Sequence, residues 1–232
     1  MCTRPVRSVA DLYPKVRSAT VGAAGARVVG IAKGAGMVEP NMATMLVFLL
    51  TDADIDRQTL RDMLPSAVNQ SFNCISIDSD QSTSDTVALA SSRRVPLQGR
   101  EEVREFYDAL RSVSQSLAED VVRNGEGVQH VIRVRVTGAP STELARAVGK
   151  RVVNSPLFKT AVAGNDPNVG RLVSAIGQCL GQQAISIDSD RVTITFGGQE
   201  IFSNGSFRPN PDAEKHIHNH MVDAWMWGAL AW

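Results

Sequence analysis

Residues Gly30–Ala53 read GIAKGAGMVEPNMATMLVFLLTDA. The stretch Arg27–Ala32, RVVGIA, is short, apolar and rich in β-branched residues, and it predicts a buried strand. A glycine-rich turn follows at Lys33–Met37. Met45–Thr51, MLVFLLT, predicts a second buried strand, and the Pro40–Asn41 pair between the two is a turn signal. Thr44 therefore stands at the head of a strand. A β-branched residue there is explained by strand preference alone. It also has a chemical reading. A threonine hydroxyl becomes a nucleophile when its own α-amine is free to take the proton. Inside a chain, that requires scission of the Ala43–Thr44 bond. The hydroxyl can perform it by attacking the preceding carbonyl, forming an ester that water then opens. Gly34 and Gly36 allow backbone N–H groups to come close to an oxyanion.

Moving outward, Asp54–Ser71 has helical spacing, and Asn73–Ile77 predicts a strand. Ser84 or Asp85 is placed to cap a helix running to Ser92. Arg100–Arg123 predicts a long amphipathic helix with Phe106, Leu110, Val113, Leu117 and Val121 on one side. Val128–Thr137 alternates as a half-exposed strand does, and Gly138–Pro140 reads as a joint. Ser141 then caps a helix to Val153. Asn154–Asn168 reads as strand and loop, and Val169–Leu180 as a helix stopped by Gly181. Arg191–Phe196 and Glu200–Phe202 form a hairpin about Gly197 and Gly198, and Asp212–Val222 is helical. This alternation predicts an α/β fold, with a larger part over residues 1–137 and a smaller α/β part over 138–232.

The bulk numbers exclude several functions. The 232 residues carry 24 Lys+Arg and 24 Asp+Glu, so no excess of positive charge points to nucleic acid or an anionic membrane. The longest apolar runs, Met45–Leu50 and Ala224–Trp232, are too short to span a bilayer. Cys2, Cys74 and Cys179 have no zinc or redox spacing, which fits a reducing compartment such as the cytoplasm. His216, His218 and His220 are the one metal-like pattern, but only two of them share a helix face and no fourth ligand is evident. No metal site is expected there.

The run Gly30–Ala53 resembles the autocleavage segment of the ornithine acetyltransferase (glutamate N-acetyltransferase) family. That family has Lys-Gly-x-Gly-Met, then Pro-Asn-Met-Ala-Thr-Met-Leu, then Thr-Asp-Ala, and here Lys33 and Thr44 keep its spacing of eleven. Three later blocks agree in order: SFNCISIDSDQSTSDT at Ser71–Thr86, NGEGVQHVI at Asn124–Ile132, and NSPLFKTAVAGNDPNVGRLVSAIG at Asn154–Gly177. The resemblance implies helices layered around β-sheets in an N-terminal-nucleophile-like fold, here incomplete. It implies acetyl transfer from N-acetylornithine to glutamate in arginine synthesis, through an acetyl-threonine on Thr44 after cleavage between Ala43 and Thr44. Lys33 and Glu126 match substrate-binding positions, and Thr44 also contacts substrate. A lysine suits an α-carboxylate, and a glutamate suits an amino group of ornithine. Without the resemblance, Lys33 reads first as a solvated charge beside a glycine-rich turn and Glu126 as a turn carboxylate. No metal or organic cofactor is implied, because the acetyl group travels on Thr44. Acetyl-CoA as a further donor is left open. Asp78, Asp85 and Asn165–Arg171 are expected to be structural, with Arg171 paired to Asp166.

The sequence also departs from the pattern. Only 43 residues precede Thr44, and the family's Thr-Gly oxyanion pair has no counterpart among them. Val9 and Ala10 stand where threonines are expected. The closing Asn-containing motif has no counterpart after Phe207. The chain is therefore expected to be an oligomer or to need a complementing chain. Two other readings stay open: a catalytically inactive fragment or interaction module of this fold, and an N-terminal-nucleophile amidohydrolase in which water replaces glutamate.

Overall fold

The computed structural model describes residues 11–36, 45–79, 84–208 and 210–230, with side chains as far as Asp223. The chain divides into two units, residues 1–128 and 129–232. Gly138 lies inside the second.

The first unit is built on β1 (Lys15–Val21), β2 (Ala26–Lys33), β3 (Leu46–Asp54) and β4 (Thr86–Pro96), hydrogen-bonded in that order. β1–β2 and β2–β3 are antiparallel, and β3–β4 is parallel. A parallel return needs a crossover, which contains α1 (Arg57–Asn69), capped by the Asp56 carboxylate on the Thr59 N–H at 2.9 Å. Then α2 (Gly99–Arg123) lays Phe106, Leu110, Val113, Leu117 and Val121 against one face of the sheet. The inward residues of β2 and β3 include Val28, Ala32, Val47 and Leu49, all buried. Gly30 lies directly under α2: a side-chain carbon there would sit 2.5 Å from Leu117 Cδ1 and 2.8 Å from Val113 Cγ1. The helix packs this close because position 30 has no side chain.

The opposite face is different. Cross-strand rows place Val16 beside Ile31, Ile31 beside Phe48 and Phe48 beside Ala88, with Val29, Leu50 and Ala90 in the parallel row. Val16, Phe48 and Leu50 are 49%, 43% and 45% exposed. The continuous apolar run Met45–Thr51 predicts a strand covered on both faces. In the structure only every second residue of it is buried.

In the second unit, α3 (Thr142–Val153), α4 (Pro156–Ala163), α5 (Val169–Gln182) and α6 (Pro211–Leu230) accompany a small antiparallel sheet of β5 (Ile194–Phe196), β6 (Gln199–Ser203) and β7 (Ser206–Phe207). Val152, Phe158, Leu172, Ile201, Ile217 and Met221 form its core. Ser141 caps α3 as expected, its side chain accepting the Leu144 N–H at 3.1 Å.

Several local expectations fail for physical reasons. Thr86–Ser92 is strand, not helix: its Ala and Leu content favours a helix, but pairing along β3 supplies the backbone hydrogen bonds instead. Residues Phe72–Cys74 make a helical turn where a strand was expected. Asn154–Asn168 contains α4, because Ser155 caps it and Pro156 fits its first turn. Helix α5 continues through Gly181 to Gln182. Residues 129–136 alternate in burial as expected, with Ile132 and Val134 packed on the core, yet they join no strand ladder among the described residues. Also among the described residues, no helix is long and apolar enough to cross a membrane. The α/β class stands.

Candidate active site

Strand directions gather the chemically interesting residues at one end of the first sheet. β3 and β4 run parallel, so Leu46 pairs with Thr86 where both strands begin. β2 runs opposite to β3, so its last residue, Lys33, pairs with Leu46. β1 begins at this end as well, with Lys15 opposite Ala32. Helix α2 finishes nearby, and Asn124–Glu126 follow it.

Lys33 is half-buried at the exit of β2. The chain then turns through Gly34, whose φ of 148° is one that few other residues adopt. The Ala35 carbonyl accepts the Glu126 N–H at 2.7 Å. Gly36 faces the Glu126 carboxylate closely, since a side-chain carbon at 36 would lie 3.1 Å from Glu126 Cδ. The structure thus brings together the two segments carrying Lys33 and Glu126. Glu126 itself is exposed.

Ala43 and Thr44 lie outside the described residues. Their neighbour Met45 is described and buried. Its N–H donates to the Asp85 carboxylate, and its carbonyl accepts the Thr86 N–H at 2.9 Å. The residue after Thr44 is therefore held on both sides by the entry to β4.

Beneath this end lies a polar cluster that sequence reasoning missed. Asp11, Lys15 and Asn124 are 4%, 1% and 0% exposed. The Lys15 ammonium pairs with the Asp11 carboxylate. The same carboxylate oxygen accepts from Asn124 Nδ2 at 3.1 Å and, at a longer 3.4 Å, from the Gly34 N–H. Asn124 Oδ1 accepts the Leu12 N–H at 2.9 Å. The four-residue spacing of Asp11 and Lys15 gives no hint of this, because the third member is more than a hundred residues away. Asp85 was visible in the sequence only as a helix cap or turn residue.

In the second unit, the His218 Nδ1–H donates to the Asn165 carbonyl at 2.8 Å, and His130 Nε2 meets Asn165 Oδ1 at 3.0 Å. His220 lies against Gly197, whose added side-chain carbon would be 3.3 Å from its ring. Arg171 donates to the Leu157 carbonyl and to Thr160 Oγ1, and Asp166 accepts from Asn168, so the expected Arg171–Asp166 pair is replaced by these contacts.

The ArgJ family profile matches residues 8–225. The chain is 43% identical over 199 residues to "Glutamate N-acetyltransferase Oat2" of Streptomyces clavuligerus, covering 86% of this chain and 49% of that protein. It is 42% identical over 210 residues to "Arginine biosynthesis bifunctional protein ArgJ" of Agrobacterium fabrum, covering 86% and 50%. The chain thus spans about half the length of the curated relatives it matches. A crystal structure of "Arginine biosynthesis bifunctional protein argJ" from Bacillus halodurans superposes with a TM-score of 0.68 at 31% identity, over 76% of this chain and 82% of that one. The chain in that structure is therefore close to this one in length.

Proposed function

The chain belongs to the ArgJ family, and from that premise we propose that it is the nucleophile-bearing half of a glutamate N-acetyltransferase of arginine biosynthesis. The observation that supports this most is the joint at the end of the first sheet. There the Lys33–Gly36 turn and the Glu126 segment are linked through the Ala35 carbonyl, beside the strand that starts two residues after Thr44. That is where an acetylated amino acid with one carboxylate and one distal amine would be read by opposite charges.

Thr44 Oγ first attacks the Ala43 carbonyl, and the chain shifts from amide to ester. Water hydrolyses that ester, leaving an Ala43 carboxylate and a free Thr44 α-amine. In turnover, this amine takes the proton from Oγ as the oxygen attacks the acetyl carbonyl of N-acetylornithine. The proton passes to the departing α-nitrogen, so ornithine leaves as a neutral amine and the acetyl group stays as an ester on Thr44. The neutral amine of glutamate then attacks this ester, the acetyl C–O bond breaks, the proton lost by the amine returns through the Thr44 α-amine to Oγ, and N-acetylglutamate leaves. Proton transfer by a positioned group of this kind contributes about 10²–10⁴-fold. Lys33 pairs with the substrate α-carboxylate, and Glu126 with the side-chain ammonium of ornithine. Acetyl-CoA is a second donor that fits the same chemistry, its thiol leaving in place of ornithine. The naming of several relatives as bifunctional arginine biosynthesis proteins supports it. The chemistry calls for no metal or organic cofactor, and the setting is the cytoplasm.

The partner is the remaining half of the fold. The oxyanion donors are to come from it, and the apolar sheet face carrying Val16, Phe48 and Leu50 is the face it covers. Such faces pack sheet on sheet at about 10 Å. The near-equal length of the solved Bacillus halodurans chain, against relatives twice as long, supports a family that occurs as paired halves.

The test is acetyl transfer by the chain co-expressed with the first half of a relative. Lys33→Met and Glu126→Gln should raise KM for N-acetylornithine at least tenfold. Release of free acetate, with no N-acetylglutamate formed, would replace this reading by an amidohydrolase. Absence of both products would leave an inactive module.

A further inference from the structure

We propose that Asp11, Lys15 and Asn124 form a positioning cluster that sets the separation of the Lys33 turn and the Glu126 segment. The inference rests on the reading of those two residues as substrate-binding groups. Its basis is a closed ring of hydrogen bonds. Asp11 Oδ1 accepts from Gly34 N–H, the next residue's carbonyl accepts from Glu126 N–H, and Asn124, two residues before Glu126, donates back to Asp11 Oδ1. Each link joins a different chain segment: the entry to β1, the exit of β2 and the end of α2.

Burial makes the cluster informative. Taking a carboxylate and an ammonium out of water costs as much as their attraction returns, and apolar replacements of such pairs are often neutral or stabilising. The first unit already has a continuous apolar core around Leu49, Phe106 and Leu117. The pair at Asp11 and Lys15 is therefore not needed to hold the sheet to its helices. What only the carboxylate supplies is one oxygen that accepts a hydrogen bond from the turn and another from the helix end. Lys15 pairs with that carboxylate and holds it in place. Gly34, at a φ of 148°, is the residue that turns its N–H toward it. Its described links to the two segments are the Gly34 N–H and the Asn124 side chain, so it acts on Lys33 and Glu126 through the backbone.

Amide hydrogen exchange on the full chain tests this without substrate. In the wild type, Gly34 and Glu126 should exchange as slowly as Gly30 and Leu49 at the sheet centre. Exchange as fast as that of the Gly22–Gly25 turn overturns the proposal. In the double variant Asp11→Leu/Lys15→Met, unfolding should stay cooperative, with a melting temperature lowered only by the donors left unpaired at Gly34 and Asn124. Exchange at Gly34–Gly36 and Gly125–Glu126 should rise about tenfold or more, as loss of these hydrogen bonds requires. The sheet centre should be unchanged. A rise spread evenly over the sheet, or none at the turn, reads as a stabilising role only and sinks the idea. Where the double variant does not fold, the wild-type comparison still decides. In the co-expressed pair, the same variant should raise KM for N-acetylornithine more than it lowers kcat. An unchanged KM with a loosened turn also overturns it. A wild type with no transfer at all defeats the functional reading, while the exchange data still judge the ring.

Discussion

The Asp85 carboxylate accepts the backbone N–H of Met45, tying the entry of β4 to the residue that follows Thr44. Met45 is buried, so removing its acceptor leaves a donor that water reaches poorly. Asp85→Ala should cost about 1–3 kcal/mol, and Asp85→Asn, which keeps a carbonyl acceptor, less. Urea midpoints of the two variants measure the difference. Equal midpoints would show that the bond carries no weight.

The two faces of β3 should respond oppositely to substitution. Leu49 is fully buried, and Leu49→Ala should destabilise by about 2–5 kcal/mol. Phe48→Ser and Leu50→Ser, on the exposed face, should change stability by less than about 1 kcal/mol. The same two variants should nevertheless fail to bind the complementing half in a pull-down. Retained binding would place the partner elsewhere.

Gly30→Ala should be costly although alanine is the smaller of possible changes. The new carbon would fall 2.5 Å from Leu117 Cδ1, so α2 must shift outward. Overpacking of this kind costs about 1–3 kcal/mol. Pairing the change with Leu117→Ala should recover part of the loss, and thermal melts would show it.

Much of the scaffold is legible in the sequence. The helical spacing of Phe106, Leu110, Val113 and Leu117 predicts α2, and the β-branched run at Arg27–Ala32 predicts β2, because both patterns record burial by neighbours close in space and regular in period. β4 is not legible. Its alanines and leucine look helical, and only its pairing with β3, across the α1 crossover, makes it a strand. β1 is missed because Arg17 and Ser18 mask its period, while its order comes from β2. The candidate residues Lys33 and Glu126 are found through motif blocks. Their proximity is not, because it depends on where α2 ends over the sheet. Asp11 and Lys15 carry no local signal, and Asn124 stands in the Asn124–Ile132 block with nothing there to link it to them.

A carboxylate at the other end of the unit predicts an acid response. Glu102 accepts the Gln98 N–H at 2.6 Å and the Ala23 N–H at 2.9 Å, and these two backbone donors hold its carboxyl below the usual glutamate range. A folded value below the unfolded one means that the stabilisation is present above the ordinary glutamate pKa. It is lost as pH falls through the lower, folded value. Glu102→Gln should therefore flatten the acidic limb of the stability curve and leave the alkaline limb alone. Melting temperatures from pH 7 downward would show it, and an unchanged acidic slope would refute it.

The most direct measurement is the intact mass and N-terminal sequence of the chain purified with its complementing half, before and after N-acetylornithine is added. The expected result is a new chain beginning at Thr44, which gains a single acetyl group that glutamate then removes. An uncut chain that still transfers acetyl groups, or a Thr44→Ala variant with undiminished turnover, would contradict it.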